Sequence, residues 1–331
     1  MLINRPSVIV LVPVLNNAST ISDCLSFLAL QDYKNMKVYL LDGFSRNGTW
    51  EILKDYEKRY PNIFKAVQMK ANVSSAYNYI LETTKSDILA FIDADAYPKQ
   101  DWLSSLISSL SHPNVAGVGG IVYTANPENP LSKAIGIELF DRFLKMPEFC
   151  TRFPTVNFAV KRNVFNFKFD DTLETDFDTE FCYNLLKHGM KLRYVKSAIV
   201  YHHHRDKISK YFKQQFWYGV NAVKVYFKYF RLLRGDTKTP GHMFLQPILW
   251  SLIGLLFLVS PIHFSFVIIG LLLTIGLLLF FLKSSFSLSR TYNSSMKYLF
   301  LILLVRSIAW TFGGIYGALR LSFRLLKRRL S

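Results

Sequence analysis

Three apolar stretches in the C-terminal part of the chain constrain its fold more than any other feature. They are "FLQPILWSLIGLLFLVS", "FSFVIIGLLLTIGLLLFFL" and "YLFLILLVRSIAWTFGGIYGAL". Each approaches the ~20 residues that carry a helix across a ~30 Å hydrocarbon core. The charge follows them. The formal net charge is +17, yet residues 1–200 hold 22 Lys and Arg against 21 Asp and Glu, whereas residues 201–331 hold 18 against 2. Basic charge beside apolar spans points to anionic lipid and a cytoplasmic face, so a membrane rather than a nucleic acid is the expected partner.

The first two stretches read as spans that form a hairpin near "SPIH". The third carries Arg306 and "FGGIYG", which suit a re-entrant or interfacial piece better than a simple span. Three full spans would also leave the basic tail "RLSFRLLKRRLS" on the outer side, against the positive-inside tendency. The expected location is the cell membrane, multi-pass or hairpin-anchored, with the preceding domain cytoplasmic. Cys24, Cys150 and Cys182 are odd in number and follow no ligand spacing, which argues for a reducing compartment and against a disulfide or zinc framework. The opening "MLINRPSVIVLVPV" has too short an apolar run for a signal peptide.

Before residue 200 the chain alternates short β-branched runs with longer helical patterns, the form of an α/β domain with a mostly parallel, Rossmann-like sheet. "SVIVLVPV", "KVYLLD", "DILAFID", "VAGVGGIVY" and "KLRYVKSAIVYH" read as strands. "STISDCLSFLALQ", "GTWEILKDYEKRY", "SSAYNYILETT" and "DTEFCYNLLKHG" read as helices, the last stopping at Gly189. From Ile208 to Phe230 apolar residues recur at three- and four-residue steps beside a row of lysines, which predicts an amphipathic helix lying in a membrane interface. The expected organisation is a catalytic domain over 1–205, an interfacial helix and linker over 206–241, and a transmembrane region with a basic tail over 242–331.

Ligands of open α/β sheets bind beyond the carboxyl ends of the strands. Here those ends carry Asn16, Asp42, Asp93 with Asp95, and the run His202 to His204. Asp93 and Asp95 in "FIDADAYP" are like charges held close, a costly arrangement unless a cation or a set of donors compensates them. The chain has no GxGxxG after its first strand and no GxxxxGK[ST]. A diphosphate without either loop needs another counter-charge, and a divalent cation held by carboxylate suits that task.

The segments "SVIVLVPVLNNASTISDCLSFLALQDY", "KVYLLDGFSRNGTWEIL" and "FIDADAYP", followed by "TVNFAVKRNVF", "TDFDTEFCYNLLKHG" and "KQQFWYG", resemble in their order family 2 glycosyltransferases of the GT-A fold, especially membrane-anchored bacterial and archaeal members. The resemblance implies a nucleotide sugar donor, UDP- or GDP-linked, with Pro13, Asn16 and Asp42 around its base and ribose. It implies that Asp93 faces the ribose or metal, and that Asp95 binds the Mg²⁺ or Mn²⁺ bridging the diphosphate. The run His202 to Arg205 separately offers His202 or His204 as a further metal ligand, or a hold on an acceptor phosphate. The family's catalytic base falls on Asp178, about eleven residues before Gly189, with Asp176 as the alternative. Phe177 stands where the family has glutamate. Gln215, Trp217 and Tyr218 align with a segment that covers the donor. The implied activity is inverting, metal-dependent transfer of a sugar to a lipid-linked or polysaccharide acceptor. A polyprenyl phosphate sugar synthase and a catalytically inactive membrane scaffold stand as alternatives.

Overall fold

The structure is a computed structural model that describes residues 5–112, 114–164, 166 and 168–330, with all their side chains except those of 231, 232, 324–326 and 328–330. The basic tail therefore lies partly outside the described side chains. The chain divides into two compact units. The first comprises residues 1–125 and 142–203, and the second comprises 126–141 and 204–331.

The first unit is built on one sheet. Its strands are β1 (Val8–Val14), β2 (Met36–Asp42), β3 (Phe64–Gln68), β4 (Ile88–Phe91), β5 (Ala96–Pro98), β6 (Val115–Thr124), β7 (Phe149–Cys150), β8 (Phe158–Lys161) and β9 (Lys191–His202). They pair in the order β3-β2-β1-β4-β8-β6-β9-β5, with β7 added on β9. The N-terminal four are parallel: Val14 lies opposite Asp42 across β1 and β2, and Leu11 opposite Phe91 across β1 and β4. Strand β8 is antiparallel to both of its neighbours, and β6 runs parallel to β9.

Helices α1 (Ile21–Ala29), α2 (Thr49–Arg59), α3 (Val73–Thr83) and α4 (Trp102–Leu110) provide the crossovers of this unit, and α6 (Phe177–Lys187) precedes β9. Between α4 and α6 in the chain lies α5 (Pro130–Leu144). Strands β1 and β4 are buried along nearly their whole length, as expected of strands covered on both faces, and so read as continuous apolar runs. The chain runs outward from β1 to β2 and β3, then returns to β4 on the other side of β1. That reversal is the topological switch point, and the crevice beyond it is where such sheets take ligands. Cys24, Cys150 and Cys182 are all buried thiols, and none of the three is in a disulfide.

The second unit contains residues 130–141 of α5 and the helices α7 (Ile208–Lys228), α8 (Gly241–Val259), α9 (Ser265–Tyr292) and α10 (Met296–Leu330). Its core joins Leu131 and Ala134 of α5, Tyr211 of α7, Leu277 and Phe281 of α9, and Leu299, Ile302 and Leu303 of α10. Among the described residues, three segments are long and apolar enough to cross a membrane: Gly241–Val259, Ser265–Tyr292 and Met296–Phe323. Their outer faces leave Leu245, Leu258, Leu272, Leu279 and Phe312 exposed, an apolar surface that suits lipid rather than water.

The third stretch differs from its sequence expectation. It is one unbroken helix rather than a re-entrant piece. Its glycines serve close packing instead of chain reversal: a Cβ on Gly313 would sit 2.1 Å from the Phe216 carbonyl oxygen, and one on Gly317 would sit 2.5 Å from that of Val220. With glycine at both positions, α10 lies directly against the backbone of α7, as small residues four apart allow.

Candidate active site

Asp42 closes β2 at the switch point and is fully buried. Its carboxylate accepts hydrogen bonds from the Ser45 amide at 3.2 Å and from Gln68 Nε2 at 2.9 Å. Pro13 lies one residue before the end of β1, opposite Leu41. Asn16 follows in the left-handed region at φ 55°, a conformation asparagine tolerates. Its amide donates to Ser45 Oγ at 2.8 Å, and its Oδ1 accepts from the Arg46 amide at 2.9 Å. The loops after β1 and β2 are thereby knitted together.

Phe44, which sequence patterning does not single out, projects from this braid 52% exposed with φ 64°. A bulky residue in that region is an outlier of the kind that clusters at ligand sites. The signal for it was available in the sequence only as a large aromatic in a turn after a strand.

Asp93 and Asp95 follow β4, two residues apart on one face, while Ala94 and Ala96 between and after them are buried. Strand β5 then pairs antiparallel with the end of β9, setting Ala96 opposite His202. The His203 amide donates to the Asp95 carbonyl at 2.8 Å, and His202 Nε2 lies 3.1 Å from Asp95 Oδ1. One ligand atom from each of Asp93, Asp95 and His202 falls within 4.8 Å of the others. Two carboxylates and an imidazole suit a divalent cation such as Mg²⁺ or Mn²⁺, so these side chains fit the metal that a diphosphate would need. Behind them Cys24 Sγ donates to the Asp93 carbonyl at 3.8 Å. Burial first, and then the charges of Asp95, Asp93 and Asp23, push its thiol far up, which keeps it an inert core group.

The two aspartates expected as base candidates sit at the start of α6. Asp176 takes the position before its first turn with φ 61°, and Asp178 Oδ1 accepts from the Thr179 amide at 2.8 Å. The helix ends as its sequence predicts. Gly189 adopts φ 75°, its amide donates to the Leu186 carbonyl, and the Met190 amide reaches that of Leu185, a Schellman closure.

The segment leading to Asp176 is gripped by α3. Asn78 exchanges two hydrogen bonds with the Phe169 backbone, at 2.8 and 3.0 Å, and Ser74 donates to the Leu173 carbonyl at 3.1 Å. Tyr77, on the same helix, is fully buried against Phe91, Phe169 and Phe177. Burial, then the negative charge of Asp93, with a further contribution from Asp178, holds its phenol well above the ordinary range.

The remaining residues expected from sequence belong to the second unit. His204 belongs to the second unit, where its backbone exchanges hydrogen bonds with Asn126. Gln215 is buried in that unit and accepts from Trp310 Nε1 at 3.0 Å. Trp217 is half-buried with its ring edge-on to Phe216, and Tyr218 is exposed.

The sequence model "Glycosyl transferase family 2" matches residues 9–171, a range that contains the switch-point residues and both aspartates after β4. Those residues form a family 2 glycosyltransferase domain. Glycosyltransferase AglE of Haloferax volcanii is 29% identical to it over 269 residues, which span 78% of this chain and 84% of the relative. A second relative is the dolichyl N-acetyl-alpha-D-glucosaminyl phosphate 3-beta-D-2,3-diacetamido-2,3-dideoxy-beta-D-glucuronosyltransferase of Methanococcus voltae, 26% identical over 68% of this chain and 75% of that one. Among solved structures, mannosyltransferase PcManGT from Pyrobaculum calidifontis, in complex with GDP-Man and Mn²⁺, superposes with a TM-score of 0.64 at 18% identity, covering 94% of this chain and 88% of that chain. This family 2 transferase thus shares the GT-A fold and the C-terminal helical architecture implied by its motifs.

Proposed function

We propose that this family 2 member is a membrane-anchored, metal-dependent inverting glycosyltransferase that moves a sugar from a UDP- or GDP-linked donor to a lipid-linked or polysaccharide acceptor at the cytoplasmic leaflet. The observation that carries the proposal is the grouping of Asp93, Asp95 and His202 at the switch point.

Pro13, Asn16 and Asp42 would take the base and ribose, and Asp93, Asp95 and His202 would hold the divalent cation. Such a cation, when bound, neutralises charge that develops on the leaving diphosphate. Asp178 accepts the proton of the acceptor hydroxyl as its oxygen forms a bond to the anomeric carbon from the face opposite the diphosphate. The bond from that carbon to the diphosphate oxygen breaks, its electron pair leaves with the diphosphate, and the configuration inverts. Asp176 is the alternative base.

The membrane part of the proposal is supported by α7, where Phe212, Phe227 and Phe230 beyond its end are exposed beside exposed Lys210, Lys213 and Lys228. That composition suits a helix lying at headgroup level on anionic lipid, next to an acceptor whose reacting group is held there. The name of the Methanococcus voltae relative, a transferase acting on a dolichyl-phosphate-linked sugar, favours a sugar already carried by lipid over the bare lipid phosphate of a polyprenyl phosphate sugar synthase.

The test is a panel of UDP-, GDP- and other nucleotide sugars offered to the purified full chain in liposomes with Mn²⁺. The proposal expects one donor class to bind and release its nucleoside diphosphate in the presence of a lipid-linked sugar. Binding of no nucleotide sugar would refute it.

A further inference from the structure

Thr179 follows Asp178 on α6 and is only 1% exposed, yet its hydroxyl joins two charged groups. Arg152 Nη1 donates to Thr179 Oγ1 at 2.8 Å. A guanidinium has no acceptor, so the threonine oxygen receives this bond and keeps its own proton to give. It gives that proton to Asp178 Oδ1 at 3.4 Å, the oxygen that also accepts from the Thr179 amide at 2.8 Å. Donors thus run in one direction, from Arg152 through Thr179 to Asp178, an order in which each bond polarises the next.

The direction bears on the chemistry. Both bonds fall on Oδ1, so they fix the carboxylate from one side, and among the described residues Oδ2 has no hydrogen bond. That oxygen keeps its lone pairs for an incoming proton. Asp176 is held the other way, with its Oδ2 accepting from the hydroxyl of its own neighbour Thr175 at 3.2 Å.

Arg152 is itself placed by a rigid support within the same unit. It lies between β7 and β8, beside Phe153, whose fully buried ring stacks with those of Phe158 and Tyr194. Gly119 of β6 makes room for that ring, since a Cβ there would lie 2.1 Å from Phe153 Cδ1. The Phe153 carbonyl in turn accepts from Cys182 Sγ at 3.8 Å. Thr179 and Cys182 are three residues apart, so one face of α6 meets residues 152 and 153 at two points. Charge balance at the start of α6 would need the guanidinium alone. A buried hydroxyl set between the charges supplies orientation, which a reacting carboxylate requires to within a fraction of an ångström.

We propose that Arg152 and Thr179 are positioning residues, which orient the Asp178 carboxylate so that Oδ2 receives the proton of the acceptor hydroxyl. The inference rests on the reading of Asp178 as the base, and its test keeps the two apart.

The measurement is steady-state kinetics of the full chain in liposomes with Mn²⁺, a polyprenyl-phosphate-linked sugar and the nucleotide sugar that the native chain turns over. Thr179→Val keeps the shape of the side chain and removes the hydroxyl. It should lower kcat about tenfold or more and leave the donor KM within about twofold, because misplacement by ~1 Å can cost ~10²-fold in the chemical step. Thr179→Ser keeps the hydroxyl and should hold kcat within about threefold of native. Arg152→Ala combined with Thr179→Val should be no slower than the slower single variant, since both act through one bond to Asp178. Adding Thr179→Val to Asp178→Asn should cost nothing further. Native kcat in Thr179→Val, a Thr179→Ser chain as slow as Thr179→Val, or losses that multiply in either combination would overturn the positioning role. An Asp178→Asn chain with native kcat, or a native chain that turns over no donor, would instead remove the reading on which it rests.

Discussion

His202 Nε2 stands 3.1 Å from Asp95 Oδ1 because two short strands bring together parts of the chain 107 residues apart. The register that sets Ala96 opposite His202 leaves Asp95 just before the paired segment, and the His203 amide fastens its carbonyl. An acidic pair that would otherwise repel thereby gains an imidazole neighbour, and the three side chains converge on one point.

Metal binding should follow from that convergence. Asp95→Ala is expected to abolish transfer and to remove measurable Mn²⁺ binding. His202→Ala should weaken Mn²⁺ by about tenfold or more while the fold persists. Isothermal titration of Mn²⁺ into each purified variant checks both, and an Asp95→Ala chain with native turnover would exclude this site.

The base assignment separates two neighbours. Asp178→Asn keeps the hydrogen bond its side chain accepts from Thr179 but removes the proton acceptor. Donor affinity should therefore survive while kcat falls by roughly 10²-fold or more. Asp176→Asn should be the milder change. The reverse ranking in steady-state kinetics would move the base to Asp176.

Much of this was legible in the sequence where the physics is local. The apolar runs of β1 and β4, the glycine stop of α6 and the apolar lengths of α8 and α9 each follow from a pattern within one element. Asp42, Asp93 and Asp95 were legible because strand ends are where α/β sheets expose ligand groups. What escaped was long-range. Three adjacent histidines carry no local sign of which will face Asp95, since β5 decides it from across the sheet. "FGGIYG" reads equally as a chain break or as a close helix contact until α7 is seen against it. Nothing in residues 126–141 marks them as packing with the C-terminal helices, because the partner of Glu138 lies 168 residues away.

Strong acid should loosen a tie between the segments that lead into β1 and β4. Asp87 accepts from both the amide and the hydroxyl of Ser7, at 2.7 Å each, and these bonds hold its carboxyl below the ordinary value of 3.8. A carboxyl lowered by folding stabilises the folded state above its unfolded pKa, and that contribution is lost as pH falls through the folded value. Ser7→Ala should thus cost less than about 1 kcal/mol at neutral pH, since the pair is largely solvated. The gap between variant and native chain should close as pH drops below 3.8. Thermal unfolding across a pH series measures it, and a gap that widens in acid would contradict the assignment.

The central claim is that this family 2 member transfers a sugar to an acceptor held in a membrane. It is tested most directly by incubating the full chain in anionic vesicles with a polyprenyl-phosphate-linked sugar, a panel of nucleotide sugars and Mn²⁺, then weighing the extracted lipid by mass spectrometry. The account predicts a lipid heavier by one sugar with one donor class, and no such product after EDTA or in the Asp95→Ala chain. An unchanged lipid with every donor, or the same product undiminished by EDTA, would contradict it.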